Sequence, residues 1–259
     1  MIPLPACAER GRGERTLVFL HGIGADHRAF DDQLEHFSPS MRAIAWDMPG
    51  YGESPPLERM TFPALADALA ALLDARGVDR AVLIGHSMGG MVAQEFVARH
   101  AGRVAALVLV ATSPAFGGAD GEWQRRFLAD RLRPLDEGKV PADIAPALVR
   151  GMVGDDPDPR GVARAVAYMS LVPAATYRAA LHCLVTFDRR ASLGAIRCPT
   201  LALAGERDRV ASPAVVERMA QEIGGATYRV LAGVGHLANL ERPALFDAAL
   251  AGFVETLPA

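Results

Sequence analysis

Short, almost uninterrupted apolar runs recur along the chain at Thr16 to Leu20, Arg42 to Trp46, Ala81 to Ile84, Ala106 to Val110, Thr200 to Ala204 and Thr227 to Leu231. Each has the length of a strand, and continuous apolar character is expected of strands buried on both faces of a parallel sheet. Between them lie longer stretches whose apolar positions recur at helical spacing: Phe62 to Ala75, Met91 to His100, Ala214 to Ile223 and Pro243 to Thr256. The first is punctuated as a helix should be, opened by Thr61 with Pro63 in its first turn and closed at Gly77. This alternation predicts an α/β fold with a doubly wound, mostly parallel sheet covered by helices on both faces.

The rhythm fails between about Ser113 and Ala191, where amphipathic helical patterns follow one another without a strand. Ala142 to Val153, Val162 to Leu171 and Thr176 to Val185 are separated by turn-forming stretches such as Gly154-Asp155-Asp156-Pro157-Asp158-Pro159. The reading is a helical cap over residues 113–191, inserted into a core made of residues 1–112 and 192–259. No internal repeat and no low-complexity tract interrupts it.

A chain of 259 residues suits one such domain with an insertion. At 51% hydrophobic and 22% charged it carries enough apolar surface for a sizeable core, which excludes intrinsic disorder. A net charge of -3 supplies no basic field for a phosphate backbone, so nucleic acid is not an expected partner. Cys7, Cys183 and Cys198 lie far apart and lack the paired spacing of a metal or redox site. Pro3 and Pro5 followed by the charged stretch Glu9 to Arg15 do not make a signal peptide, and no apolar run reaches spanning length. A cytoplasmic protein with no membrane partner is expected.

Gly85-His86-Ser87-Met88-Gly89 matches G-x-S-x-G where an apolar strand gives way to a helix of Met91, Val92, Phe96 and Val97. A serine nucleophile needs a tight, strained turn to lift its oxygen clear of the sheet, and the flanking glycines clear space for that turn. Serine also needs a base within hydrogen-bond reach and a group that orients the base. Gly233-Val234-Gly235-His236-Leu237 follows the last apolar run, and its glycine-rich loop is suited to bring His236 to Ser87. Among the other histidines, His27, His36 and His100 lie in helix-like contexts. Asp208 and Glu206 both lie just past the C-terminal end of a strand, where open α/β sheets bind ligands, and either carboxylate is a candidate for the orienting acid. An oxyanion would take the N–H groups of Met88, after the nucleophile, and of Ile23, in the loop His21-Gly22-Ile23-Gly24.

Taken together, His21-Gly22, the run Asp47-Met48-Pro49-Gly50-Tyr51-Gly52-Glu53-Ser54, the Ser87 turn, Asp208 and His236 resemble the α/β-hydrolase family over nearly the whole chain. The tail from Gly235 to Pro243 is similar to that of 3-oxoadipate enol-lactonases and related small esterases. The resemblance favours Asp208 as the acid, implies the order Ser, Asp, His, and makes Asp47 part of a structural loop below the site. One departure is the short stretch before Thr16, which leaves little room for the antiparallel hairpin that usually opens the family's sheet.

Ser87 argues against relatives that use an aspartate nucleophile for alkyl transfer, and acyl chemistry remains. Hydrolysis of a small-molecule carboxylic ester or lactone through an acyl-enzyme comes first, because the three residues and two amides suffice and no cofactor site or metal site is evident. The alternatives are hydrolysis of carbon–carbon bonds in ring-fission dienones, a cofactor-free perhydrolase or lyase, and a ligand-binding receptor. Dienone hydrolases often carry Asn before the serine and Trp after the histidine, where this chain has His86 and Leu237. The cap is expected to form a mainly apolar pocket with Trp123, Tyr168, Tyr177 and His182 as substrate contacts, and with most of its arginines facing water. An acidic substrate would require one inward arginine, which the sequence does not single out. Acyl group, leaving group and oligomeric state stay open at this level.

Overall fold

The computed structural model describes residues 3–117 and 121–258. Seven strands, β1 (Cys7–Arg10), β2 (Thr16–Leu20), β3 (Arg42–Trp46), β4 (Ala81–His86), β5 (Val104–Val110), β6 (Thr200–Gly205) and β7 (Thr227–Leu231), form one sheet in the order β1-β3-β2-β4-β5-β6-β7. Every pairing is parallel except that of β1 with β3. The short N-terminal stretch thus supplies a single antiparallel edge strand in place of a hairpin, with Cys7 opposite Trp46 and Arg10 opposite Ala43.

Strand periodicity divides the core. Val18, Leu20, Ile44, Trp46, Leu83, Leu107, Leu109, Ala202 and Ala204 point to one face, packed by α2 (Phe62–Ala75), α3 (Met88–Arg99) and α8 (Pro213–Glu222). Their neighbours Leu17, Phe19, Ala43, Ala45, Val82, Ile84, Val108, Leu201 and Leu203 point to the other, against α1 (Asp31–Phe37) and α10 (Pro243–Val254). Alternate residues face opposite sides of a strand, so a strand buried twice has to be apolar throughout. The outermost strand β7 departs from this expectation. Only Leu231 is buried and Val230 is half exposed, because an edge strand has neighbours on one side alone.

The predicted helix at Phe62 begins where the side chain of Thr61 accepts the Ala64 N–H at 3.3 Å, with Pro63 in the first turn. Among the described residues between β5 and β6 lie four α-helices, α4 (Glu122–Asp136), α5 (Pro141–Arg150), α6 (Pro159–Leu171) and α7 (Ala174–Leu184), and a 3-10 turn at Arg190–Ala195. The first of these escaped the sequence reading, although its aromatic residues Trp123 and Phe127 recur at helical spacing. A short α9 (Ala238–Glu241) precedes α10. Among the described residues no helix is long and apolar enough to cross a membrane.

The turn from β4 into α3 requires its glycines for space. A Cβ on Gly89 would lie 2.0 Å from the Leu20 carbonyl oxygen, and one on Gly85 would lie 2.5 Å from the Gly90 Cα. Both obstacles are backbone, so neither yields by a rotamer change. Gly89→Ala is therefore expected to destabilise the protein by about 2–4 kcal/mol, as overpacking does at a rigid contact. Gly102→Ala, where a Cβ would meet nothing within 4 Å, should stay within about 0.5 kcal/mol of wild type. Urea unfolding of the two variants checks the contrast, and equal stability would contradict the packing argument.

Candidate active site

Ser87 stands between β4 and α3 with φ 53° and ψ -120°, a backbone conformation that a side-chain-bearing residue rarely adopts. Neighbouring groups hold it there. Its N–H donates to the Val110 carbonyl at 2.9 Å, and its own carbonyl accepts the Gly90 N–H at 2.9 Å and the Thr112 hydroxyl at 2.8 Å. The hydroxyl donates to His236 Nε2 across 3.0 Å, and His236 Nδ1–H donates to Asp208 Oδ2 across 2.8 Å. Asp208 and His236 are both buried. The other Asp208 oxygen accepts the Val210 and Ala211 N–H groups at 2.7 and 3.0 Å, which leaves the carboxylate little freedom to turn.

Glu206, the rival carboxylate, is exposed and accepts the Gly233 N–H at 2.9 Å. Asp208 alone of the two reaches the imidazole. Ile23 lines the cavity beside Ser87, and its N–H has no hydrogen-bond partner among the described residues. Met88 is the first residue of α3, where an N–H has no acceptor within the helix. The loop bearing Ile23 is fixed by the buried His21, whose Nδ1–H donates to the Gly22 carbonyl and whose Nε2 accepts the Met48 N–H. Burial holds His21 below the ordinary histidine range, in keeping with a neutral ring serving one donor and one acceptor bond.

Asp47 takes no part in this constellation. Its carboxylate accepts the His27 N–H and ring Nδ1–H at 2.8 Å each and the Glu53 N–H at 3.0 Å. Burial pushes the group upward, but these hydrogen bonds outweigh it and its pKa ends below the usual carboxylate value. Asp26 comes close to the same pair, yet its oxygens are held by Arg28. The cluster locks the loop from Asp47 to Ser54 in place.

Two residues of the histidine loop's support went unrecognised in the sequence. The carboxylate of Glu241 is buried and accepts three N–H groups, from Gly154 at 2.7 Å, Gly235 at 2.9 Å and Leu237 at 2.8 Å, so that it grips both sides of His236. His86 Nε2–H donates to the His236 carbonyl at 2.7 Å. Burial, assisted by the neighbouring His236, lowers the His86 pKa to about 3 and keeps the ring neutral. The His236 N–H in turn donates at 2.7 Å to Met152, just past α5, tying the inserted helices to this loop. The tail from Gly235 to Pro243 contained the signal for Glu241, a carboxylate five residues after the histidine, but only the loop's return path explains it.

A cavity of about 430 Å³ opens over Ser87 and His236. Its walls are mainly apolar, with Met91, Leu148, Val149, Met169, Leu181 and Leu240 among them. Trp123 lines it while remaining half exposed, stacked on Phe127 at 5.4 Å, and the buried Tyr177 also lines it. Two expected contacts are corrected. Tyr168 lines a separate cleft beside Arg28 and Glu53, where its hydroxyl donates to the Arg28 carbonyl and accepts from Arg164. His182 is exposed on α7 and does not line the cavity, because it stands off the face that carries Tyr177, Leu181 and Leu184. Most described arginines of the insertion are exposed, but two reach the core. Arg164 pairs with Asp32 at 2.8 Å, and Arg189 donates through Nε to the buried Glu95 at 2.6 Å, fastening the insertion to the core.

Residues 15–243 match the family model described as alpha/beta hydrolase fold. The chain belongs to that family. It is 27% identical over 245 residues to 3-oxoadipate enol-lactonase 1 of Acinetobacter baylyi, covering 93% of this chain and 89% of the relative. It is 31% identical over 251 residues to a pimeloyl-[acyl-carrier protein] methyl ester esterase of Chromobacterium violaceum, covering 93% and 94% of the two chains. Among solved structures, a thermophilic esterase from Thermogutta terrifontis superposes with a TM-score of 0.86 at 28% identity over 97% of this chain and 93% of its own. The family is therefore shared with ester-cleaving and lactone-cleaving proteins.

Because Glu241 satisfies three amides, its loss should be felt in stability and at the site. Glu241→Gln leaves one acceptor oxygen for those amides and is expected to cost roughly 2–3 kcal/mol, on the order of 4–10 °C in Tm. Thermal unfolding measures it, and an unchanged Tm would mean that the loop is held by other contacts.

Proposed function

We propose that this member of the alpha/beta hydrolase fold family is a serine hydrolase that cleaves a carboxylic ester or lactone through an acyl-enzyme. The observation that carries the reading is the continuous hydrogen-bond chain from Ser87 through His236 to Asp208, at 3.0 and 2.8 Å, at the base of an apolar cavity. Relatives named as an enol-lactonase and a methyl ester esterase support the same chemistry.

In this reading His236 removes the hydroxyl proton of Ser87 as its oxygen attacks the acyl carbon, while Asp208 stabilises the imidazolium without taking its proton. The carbonyl oxygen gains negative charge in the tetrahedral intermediate and is received by the N–H groups of Ile23 and Met88. His236 then gives its proton to the departing alkoxide, so the alcohol leaves neutral and the acyl group stays on Ser87. Water, deprotonated by the same imidazole, attacks the acyl-enzyme, and as the acid leaves the imidazolium returns that proton to the Ser87 oxygen. A lactone follows the same steps, its alcohol remaining attached to the acyl chain. No step requires a group beyond these residues and water.

The helices inserted between β5 and β6 act in this account as a cap over residues 113–191, on a core of residues 1–112 and 192–259. Its support is the lining, since Trp123, Phe127, Leu148, Met169, Tyr177 and Leu181 from the insertion share one cavity with Ser87. Such a cap shields the acyl-enzyme from bulk water and fits the acyl chain.

Ser87→Ala is expected to lower kcat on p-nitrophenyl esters by roughly a thousandfold or more with little change in Tm, since one hydroxyl is removed and no core volume. Asp208→Asn should lower kcat strongly, whereas Glu206→Gln should alter it by less than about threefold. Steady-state kinetics of the three variants test the assignment. Full activity in Ser87→Ala would refute the nucleophile, and a damaging Glu206→Gln beside a harmless Asp208→Asn would refute the acid.

A further inference from the structure

The cavity over Ser87 is closed at one end and open at the other. Ala29, Val149, Ala165 and Leu240 line it and pack into one apolar cluster, each no more than 5% exposed. Trp123 and Val210 line it too, yet each is 49% exposed. The cavity therefore meets solvent between α4 and the loop that follows Asp208.

Helix α6 walls the closed end. Gly161, Ala165 and Met169 recur every four residues, so they share one face of the helix, and all three are buried. Gly161 rests on the backbone of Leu240 in α9, where a Cβ would overlap the Leu240 carbonyl oxygen. Ala165, one turn on, lines the cavity. Met169, a turn further, lines it as well and covers the loop that bears Ile23. A Cβ on Gly24 would stand 3.5 Å from Met169 Cγ and closer still to the sulfur, so the thioether lies against this glycine. Polar bonds keep the helix in this seat. The Asp158 N–H at its start donates to the Glu241 carbonyl at 3.0 Å, Arg164 holds Asp32 at 2.8 Å, and the Tyr168 hydroxyl donates to the Arg28 carbonyl at 3.3 Å. A helix tied at its start and along its flank makes a wall that gives way only at a cost in packing.

Resting on the reading of Ser87 as nucleophile, we infer that Met169 is a specificity-determining residue, the stop against which the acyl chain ends, and that the substrates are esters of short-chain acids. The reacting carbonyl oxygen lies at the N–H of Ile23, and Met169 covers the very next residue, so a chain that starts at that carbonyl and runs along α6 soon meets the thioether. The alcohol, by contrast, has to depart while the acyl group is still bonded to Ser87. It therefore occupies the end that opens to solvent, past Trp123 and Val210, where the half-exposed indole offers a face to an apolar or aromatic alcohol. A methionine side chain bends more readily than a branched one, so the limit is a falling rate rather than a complete block.

The test measures kcat/KM for p-nitrophenyl butanoate and p-nitrophenyl octanoate, which share a leaving group and differ only in acyl length. The readout is the octanoate-to-butanoate ratio, which a general loss of activity or stability does not move. Wild type should favour butanoate at least about tenfold, the size of effect that surplus methylenes have in a closed pocket. Met169→Ala should raise the ratio at least about tenfold, and Met169→Val severalfold, in step with the volume each removes. The valine variant retains most of the packing and reports on the stop even where the alanine variant fails to fold. In acetate esters, lengthening the alcohol from ethyl to octyl should not lower the wild-type kcat/KM, since that chain leaves through the open end. Octanoate turned over as fast as butanoate by wild type would overturn the stop. So would a ratio within about twofold of wild type in Met169→Val and in any folded Met169→Ala. A decline with alcohol length in the acetates that Met169→Val relieves would place the alcohol at the closed end and overturn the assignment of the acyl chain. Any of these results with an active wild type leaves the serine-hydrolase reading standing, whereas no turnover of any ester removes both.

Discussion

The site depends on one strained residue. Ser87 can occupy φ 53° only because the structure around it leaves no alternative, and such a conformation costs on the order of 1–3 kcal/mol. The central strands offset that cost. The parallel pairing of β4 with β2 and β5 fixes where β4 ends, and the bonds from Ser87 to Val110, Gly90 and Thr112 hold the turn that follows. Glycines at 85 and 89 permit the close approach of α3 to the sheet, so core packing and the position of the serine oxygen are one problem.

The histidine is placed by different means. It lies in a loop anchored on either side by buried Val234 and Ala238, and polar groups fix the turn between them. Glu241 gathers three amides, His86 donates to the His236 carbonyl, and the Met152 carbonyl accepts the His236 N–H. The last bond has a further meaning, since the inserted helices help to set the imidazole that lies beneath them. A substitution in the insertion can therefore alter the site without touching a substrate.

The parts of this architecture that follow a local rule were legible in the sequence. Two-sided burial makes strands apolar throughout, which marked β2 to β6, and strand-to-helix glycine spacing marked the Ser87 turn. Thr61 and Gly77 bounded α2 closely. Contacts that depend on how distant segments meet were not legible. Tyr168 and Tyr177 occur in similar apolar helices, yet one turns to Arg28 and the other to the cavity. His182 falls off the inward face of α7 by its angular position alone. That Trp123, Phe127 and Arg131 line the cavity together became visible only with the orientation of α4.

The central claim is that Ser87 is made nucleophilic by His236 and exposed to one cavity, and covalent labelling tests it most directly. A p-nitrophenyl alkylphosphonate transfers its phosphorus to an activated serine oxygen, expels p-nitrophenolate and leaves a stable adduct. Intact-mass and peptide mass spectrometry should show one adduct per chain, on the peptide containing Ser87, with p-nitrophenolate released in equal amount. Replacing His236 by alanine should slow the labelling by roughly a thousandfold or more. Stoichiometric labelling at another residue, or labelling of Ser87 at the same rate without His236, would contradict the account.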